Sequence, residues 1–592
     1  MRFRIARYAR SPARSTTDIL LIFRCLAPVF GLERSQAVAT KTPSSLEIAQ
    51  EATLRPISEI AAAAGLEPDE VDLYGRYKAK VALSVLERLA DRPDAKLVCV
   101  TAITPTKFGE GKTTTSVSLT QGLGAIGRRP VLCLREASLG PVFGIKGGAA
   151  GAGYAQVVPM EDMNLHFTGD IHAIGAANNL LAAMLEAHLL HGNELGIDPL
   201  SISWRRCVDI NDRALRDTAI GLGGRANGYP RQTGWDITAA SEVMAIVAVA
   251  RDLFDLRARL GAITVGSTYD GEPVTAEQLK AAGAMTVLLK ETIKPNLVQT
   301  LEGQPAFVHC GPFANIAHGN NSLVSDRIAL KLGDIVVTES GFGADMGMEK
   351  FMDIVCRVGD LTPSAVVLVA TVKALKHHGG DPDGGAEAIA AGSANMIRHL
   401  HTIREFGLNA VVAVNRFPQD SDDEIEQIRE IALGNGAFAA EANEAVARGG
   451  EGAAALAEAV ARATEAPSSY APVYPLDDTI ERKIEAIVTR VYGGDGILLQ
   501  PAARKKIEEL ERVGFDKLPI CMAKTHLSLS HDPTLANAPT GFTVTVRDIR
   551  AYTGAGWLVA LCGDMQTMPG YGRTPAAMNV DIDDEGRTVG LF

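Results

Sequence analysis

Between an apolar run, Leu97-Val98-Cys99-Val100, and a helical pattern opening near Thr113 lies the segment Thr104-Pro-Thr-Lys-Phe-Gly-Glu-Gly-Lys-Thr-Thr-Thr115. A glycine loop between a strand and a helix presents backbone N–H groups and a helix N-terminus to the same point, which is how phosphates are cradled. In that setting Thr106, Lys107, Phe108, Gly109, Glu110 and Gly111 form the loop. Lys112 reaches the terminal phosphates, and the Thr113 hydroxyl is placed to ligate Mg²⁺. Thr106 stands where the usual phosphate-loop pattern has its first glycine. The alternative is a glycine-rich strand–helix turn that holds no ligand.

Other residues could join this chemistry. Arg135-Glu136 follows the next apolar run, Val131–Leu134. A cation at the carboxyl end of such a strand can hold a carboxylate and a phosphate in line for transfer, although an Arg-Glu pair is also a common surface ion pair. His166, Asp170 and His172 are close in sequence, but their spacing alone does not put three metal ligands on one face, so hydrogen bonding to substrate is the stronger reading. His377 and His378 are adjacent and point apart, which suits turn or packing roles. Glu339 and Asp345, after a further strand, could orient Mg²⁺ or lie in a solvated loop. No Ser/His/Asp or Cys/His arrangement argues for a covalent protein nucleophile.

The elements that must position these residues alternate. Apolar runs at Leu97–Val100, Val131–Leu134, Ala262–Val265, Ile335–Val337, Val366–Val369 and Val411–Val414 are separated by helical patterns. That order predicts an α/β fold, a parallel sheet with helices on both faces: a large phosphate-loop domain with two smaller α/β domains. The expected partition is 45–402, 403–490 and 491–592. Helices are expected from Ser45, as cap, and over Val81 to Ala90. Residues 434–466, rich in Ala, Gly and Glu, read as exposed helix near a domain change.

With 58 Lys+Arg against 70 Asp+Glu, the formal net charge is −12. No global attraction to nucleic acid or an anionic membrane follows from it. Eight scattered cysteines, without a C-x-x-C pair, read as buried thiols. No apolar run reaches the ~18 residues of a membrane span; Arg24 interrupts the nearest, Ile19 to Leu32. Residues 1–44 stand apart: Arg2, Arg4, Arg7, Arg10 and Arg14 precede the first acid, Asp18. They read either as a mitochondrial transit peptide or as an extension from a start codon placed too far upstream.

Several longer segments carry a resemblance. Gly144-Ile-Lys-Gly-Gly-Ala-Ala-Gly-Ala-Gly-Tyr154 and Val369-Ala-Thr-Val-Lys-Ala-Leu-Lys-His-His-Gly-Gly380 closely resemble the two signature segments of the formate–tetrahydrofolate ligase family. Pro159–Asp170, Lys294–Thr300, Gly311–His318, Asn415–Pro418 and Leu518–Thr525 are similar to the same family, in order, from about residue 45 to the C-terminus. The resemblance implies ATP-dependent ligation of formate to tetrahydrofolate through formyl phosphate, a step of one-carbon metabolism. Thr106–Thr113 would be the ATP loop. Lys112 and Arg135 would polarise formyl phosphate, and Asp170 would lie beside the formyl-transfer centre, where it, or His166 through a water, is a candidate base. Phe417 and Pro418 would form part of a slot for the flat folate ring. Mg²⁺ with ATP, K⁺ or NH₄⁺ as activator, a homotetramer and a cytoplasmic location are implied too, the last becoming mitochondrial if residues 1–44 are a transit peptide.

The chain departs from the family pattern at three places. Ala137 replaces a proline, Ala152 a glycine, and Val446 a tryptophan that would stack on the folate ring. Losing that stacking costs on the order of 1 kcal/mol of folate binding. Two rivals remain at this level: a phosphate-loop ATPase of another type, such as a partitioning-type switch or a carboxylate-activating ligase with a different acceptor, and a catalytically weakened homologue that serves as a binding or assembly subunit.

Overall fold

The computed structural model describes residues 43–144, 150–563 and 565–591. The expectation for residues 1–44 therefore falls almost wholly outside the described residues, as do positions 145–149 of the first glycine signature.

A twelve-stranded sheet organises the fold. Its parallel part comprises β1 (Lys96–Ala102), β2 (Pro130–Leu134), β3 (Pro305–Val308), β4 (Ile335–Gly343), β5 (Pro363–Ala370), β6 (Asn409–Asn415) and β7 (Ala439–Asn443). They lie in the order β3-β2-β4-β1-β5-β6-β7. The chain moves to one side of β1 and later to the other, so β1 sits where the order switches. In open α/β sheets that is where ligands bind, outside the carboxyl ends of the strands. Antiparallel strands extend the β3 side: Asn296–Thr300 pairs with β3, and Ala79–Val81 and Ala155–Val158 pair with Asn296–Thr300.

These strands read as continuous apolar runs because both faces are covered. Leu97, Cys99, Val366, Leu368, Val412 and Val414 enter one core, while Val98, Val100, Val367, Val369, Val411 and Ala413 enter the other. The helices that cover them include α1 (Lys112–Ala125), α3 (Val372–His378), α4 (Ala386–Glu405) and α5 (Ala454–Glu465), while α2 (Asp170–Leu190) packs away from these strands. A third cluster surrounds α2 and takes in Ile174, Leu181, Leu185, Val243 and Val265. By length and composition α2 could cross a membrane, the one such helix among the described residues. Its apolar stripe instead packs inward, and its first residue is a buried carboxylate.

Several local expectations change. Ser44, not Ser45, caps the first helix, in a capping box closed by Glu47. Val81 belongs to a strand, and only Ser84–Arg88 is helical in the stretch expected over Val81 to Ala90. The run Ala262–Val265 ends a helix and begins the strand Thr264–Ser267, which pairs antiparallel with Pro273–Thr275 outside the large sheet. Its Ile263 and Val265 are buried by helices, and a short apolar run looks the same in either burial. Residues 434–466 hold β7 and α5; Leu456, Ala457, Val460 and Ala463 of α5 are buried, so the alanines mark close packing rather than exposure.

The sheet also crosses position 402. β6 pairs in parallel register with β5 from Ala365↔Asn409 to Ala370↔Val414, and β7 follows it. Residues 403–490 thus share the sheet and core of the preceding segment. Beyond 491, small sheets join Gly496–Leu499 to Thr543–Val546, and Ile520–Ala523 to Trp557–Leu561.

Candidate active site

The loop between β1 and α1 is fixed largely by its own residues. Gly109 and Gly111 take φ of 76° and 75°, a left-handed conformation that glycine adopts without strain. Thr106 needs no such freedom. Its N–H and hydroxyl both donate to Glu110 Oε1 (2.6 and 3.0 Å), and its hydroxyl accepts from Phe108 N–H (3.2 Å). A side-chain network therefore closes the loop where the usual pattern relies on a first glycine.

Neighbouring strands hold the loop from outside. At the end of β6, Asn415 Nδ2 donates to Glu110 O (2.8 Å), and Asn415 Oδ1 accepts from Thr115 (3.0 Å) and from Asn443 at the end of β7 (2.7 Å). Thr104 is gripped on three sides. Its N–H donates to Asn395 (3.0 Å), its hydroxyl meets His399 Nε2 (3.0 Å), and its carbonyl accepts from His378 Nε2 (2.8 Å). Burial pulls His399 down to about 4, so it stands neutral at physiological pH. His378 thus packs against the loop, while His377 meets the Phe108 ring edge-on at 5.7 Å.

Glu339, on β4, joins two sites that are far apart in sequence. Its side chain is fully buried; Oε2 accepts from the Thr113 hydroxyl (2.7 Å) and Oε1 from Arg135 Nε (3.1 Å). Lys112 opens α1 beside Thr113. One carboxylate thereby ties the loop, the start of α1 and Arg135 together. Asp345 is elsewhere, paired with the buried Lys524 at 2.6 Å, so of the two acids considered for Mg²⁺ only Glu339 reaches Thr113.

Asp170 is more enclosed than its sequence suggested. Lys80, itself buried, contacts both of its oxygens at 2.9 Å, and Asn296 and Thr168 donate to Oδ2 (2.8 and 3.2 Å). A lysine inside the apolar triplet Ala79-Lys80-Val81 was the available signal for this pair, since lysine is rarely fully buried unless paired. Asp170 also lines a cavity of about 300 Å³ with His166, His172, Glu136 and Asp209, but no residue of the phosphate loop does. Burial raises Glu136 well above the usual carboxylate range, and nearby Asp170 raises it further. Burial also raises Asp209, against hydrogen bonds from Ser138 and Leu139 N–H.

Phe417, Pro418 and Val446 are exposed just beyond the ends of β6 and β7, which finish side by side at Asn415↔Asn443. Arg416 links the two ends through Asn443 O (3.1 Å) and Glu444 (3.2 Å). The Val446 carbonyl accepts from Tyr154 N–H at 3.0 Å, bringing the glycine signature to this corner. Gly151 and Gly153, both with positive φ, are the positions where an added Cβ would collide with backbone oxygens, of Ala155 and Val446. Ala152 lies between them with φ in the ordinary range, so its methyl is accommodated.

Comparison with known proteins bears on this whole arrangement. A family model described as "Formate--tetrahydrofolate ligase" matches residues 43–592. A relative of that name from Desulforamulus reducens is 56% identical over 565 residues, 93% of this chain and 100% of the relative. Others from Roseiflexus castenholzii (55% over 561 residues, 93% and 100%) and Cutibacterium acnes (54% over 562 residues, 93% and 100%) carry the same name.

Proposed function

The chain belongs to the formate–tetrahydrofolate ligase family, and from that premise we propose which of its residues carry the reaction. The reaction is ATP-dependent ligation of formate to tetrahydrofolate, giving 10-formyltetrahydrofolate, ADP and phosphate through formyl phosphate. A formate oxygen attacks the γ-phosphorus and ADP leaves. N10 of the folate then attacks the formyl carbon, phosphate leaves, and N10 gives up its proton.

Bringing formate to the γ-phosphate sets two anions together, so fixed positive charge is the main requirement. Lys112 and the N–H groups of Thr106–Thr113 hold the nucleotide, and Arg135 spans formate and the transferring phosphoryl group. The observation that carries this reading is Glu339, which receives Thr113 and Arg135 on its two oxygens. It fixes the guanidinium relative to the loop before substrate arrives, and such preorganisation is what lowers the barrier.

The Thr113 hydroxyl and the Glu339 carboxylate are adjacent hard oxygen donors, the kind Mg²⁺ takes alongside substrate phosphates, so these residues fit the ion. When bound, it neutralises charge across the β- and γ-phosphates. The acidic cavity is an oxygen-rich setting suited to the activating K⁺ or NH₄⁺; Glu136 Oε2, buried there, has no hydrogen-bond partner among the described residues. Asp170, held by Lys80 and Asn296, supplies a fixed negative charge to the cation that develops at N10, and His166 on the same cavity takes the proton through water. Phe417 and Pro418 offer an apolar wall to the folate ring beside Val446. Homotetramer assembly and a cytoplasmic location, or a mitochondrial one should residues 1–44 act as a transit peptide, complete the proposal on family resemblance.

The test is ADP release by the purified protein with formate and tetrahydrofolate added separately and together. Turnover that needs both, with a product absorbing as 10-formyltetrahydrofolate or, after acid, its methenyl form, is the expected result. ATP hydrolysis indifferent to both acceptors would overturn it.

A further inference from the structure

Arg135 meets strand β4 at two points. Glu339 accepts from its Nε at 3.1 Å, and two residues further along the strand Gly341 stands beside its Nη1. A Cβ built on Gly341 would lie 3.0 Å from Arg135 Nη1, 2.8 Å from Ala314 Cβ and 3.1 Å from Gly319 O. Gly341 has φ in the ordinary range, so the backbone does not call for glycine here; the lack of space does. The wall formed by Ala314 and Gly319 is fixed. Lys350, fully buried, donates to Ala314 O, and Gly341 N–H donates to Gly319 O at 3.0 Å. Asn320 Nδ2 donates to Ser340 Oγ (2.7 Å), and a Cβ on Gly319, whose φ is 70°, would also strike Ala314. Against that wall a methyl at position 341 has no room. Of its neighbours the tip of Arg135, on a side chain 26% exposed, is the one free to move.

We propose that Gly341 is a positioning residue for the ligation. The gap left by its missing side chain seats the Arg135 guanidinium against Glu339, and a side chain there displaces the cation that spans formate and the transferring phosphoryl group. The inference rests on the role given to Arg135 above. Charge that must be in place before the reaction tolerates little error, and misplacement by ~1 Å costs up to about a hundredfold in rate. A clearance of 3.0 Å, set against the ~3.5 Å at which such atoms rest, asks the guanidinium to shift by ~0.5 Å. About a tenfold loss is expected from a shift of that size. Glu339 and Gly341 thus act on the same cation from one strand, the first by attraction and the second by making room.

Steady-state kinetics on the full chain test this, at a temperature below the thermal transitions of every variant. Gly341→Ala alone also carries the clash with Ala314, so it is combined with Ala314→Gly, which removes that methyl and leaves the contact with Arg135. The double variant should lose about tenfold in kcat/KM for formate while KM for ATP and for tetrahydrofolate stays unchanged. Ala314→Gly by itself should match wild type. In an Arg135→Ala background the same two substitutions should change kcat/KM for formate less than about twofold, because residues that act through one contact are not additive. Full recovery in the double variant would reduce Gly341 to packing against Ala314, and an equal loss without Arg135 would place the effect elsewhere; either result overturns the proposal, as does a loss confined to ATP. If wild type turnover does not depend on formate, or Arg135→Ala leaves kcat/KM for formate unchanged, it is the reading of Arg135 that fails, and Gly341 loses its role with it.

Discussion

Lys80→Met removes one half of the most enclosed ion pair near the candidate site. Lys80 and Asp170 have side chains 1% and 3% exposed, and the Lys80 ammonium also donates to Lys294 O at 3.0 Å. Without it, Asp170 keeps, among the described residues, only the bonds from Asn296 and Thr168 and becomes a buried charge with no counter-ion among them. Breaking a buried pair from one side costs about 3–5 kcal/mol, most of it the desolvation of the group left behind. In a protein of this size that loss is best read locally, by amide hydrogen exchange in Ala79–Val81, Asn296–Thr300 and the first turn of α2, where opening should accelerate by roughly two to four orders of magnitude. Combining Lys80→Met with Asp170→Asn removes both charges while the introduced amide oxygen can still accept one bond, and the double variant should recover most of the loss. Exchange accelerated less than about fivefold in Lys80→Met would refute the reasoning. So would a double variant whose cost equals the sum of the single ones within ~0.5 kcal/mol, since contacting partners must couple.

Glu339→Gln retains the shape of the bridge but removes the charge that Arg135 and Thr113 share; kcat should fall roughly a hundredfold, as for loss of one preorganised electrostatic contact, and an unchanged kcat would exclude the bridge from catalysis. Val446→Trp places an aromatic ring at a position 44% exposed, so KM for tetrahydrofolate should drop about fivefold with KM for ATP unaltered. Glu242 is buried and, among the described residues, accepts from Gly554 and Ala555 N–H alone, and burial lifts it to about 7. Its folded value lies above its unfolded one, so the stability it contributes is present below about pH 4.5 and is lost as pH rises through 7. Glu242→Gln should remove that slope, and denaturation across pH 4.5–7.5 should show wild type losing on the order of 3 kcal/mol relative to the variant.

The shape of the proposed nucleotide loop could be read before any fold was known. Gly109, Gly111, Lys112 and Thr113 act within one strand–loop–helix unit, and the properties that matter there, left-handed φ and a helix N-terminus, are set by residues a few positions apart. The strands of the sheet were legible for a related reason: burial on both faces leaves continuous apolar runs in the sequence. The same rule misplaced Ala262–Val265, because burial under helices leaves an identical run.

What only the tertiary structure decided is which distant residues meet. Glu339 reaches Thr113 across 226 positions, Lys80 reaches Asp170 across 90, and Asn415 braces Gly111 across 304. Polarity and size at each position are local and leave a periodic trace, but the partner of a buried charge is chosen by strand order and register. In this sheet the order β3-β2-β4-β1-β5-β6-β7 brings the carboxyl ends together, and no periodicity along the chain encodes that order.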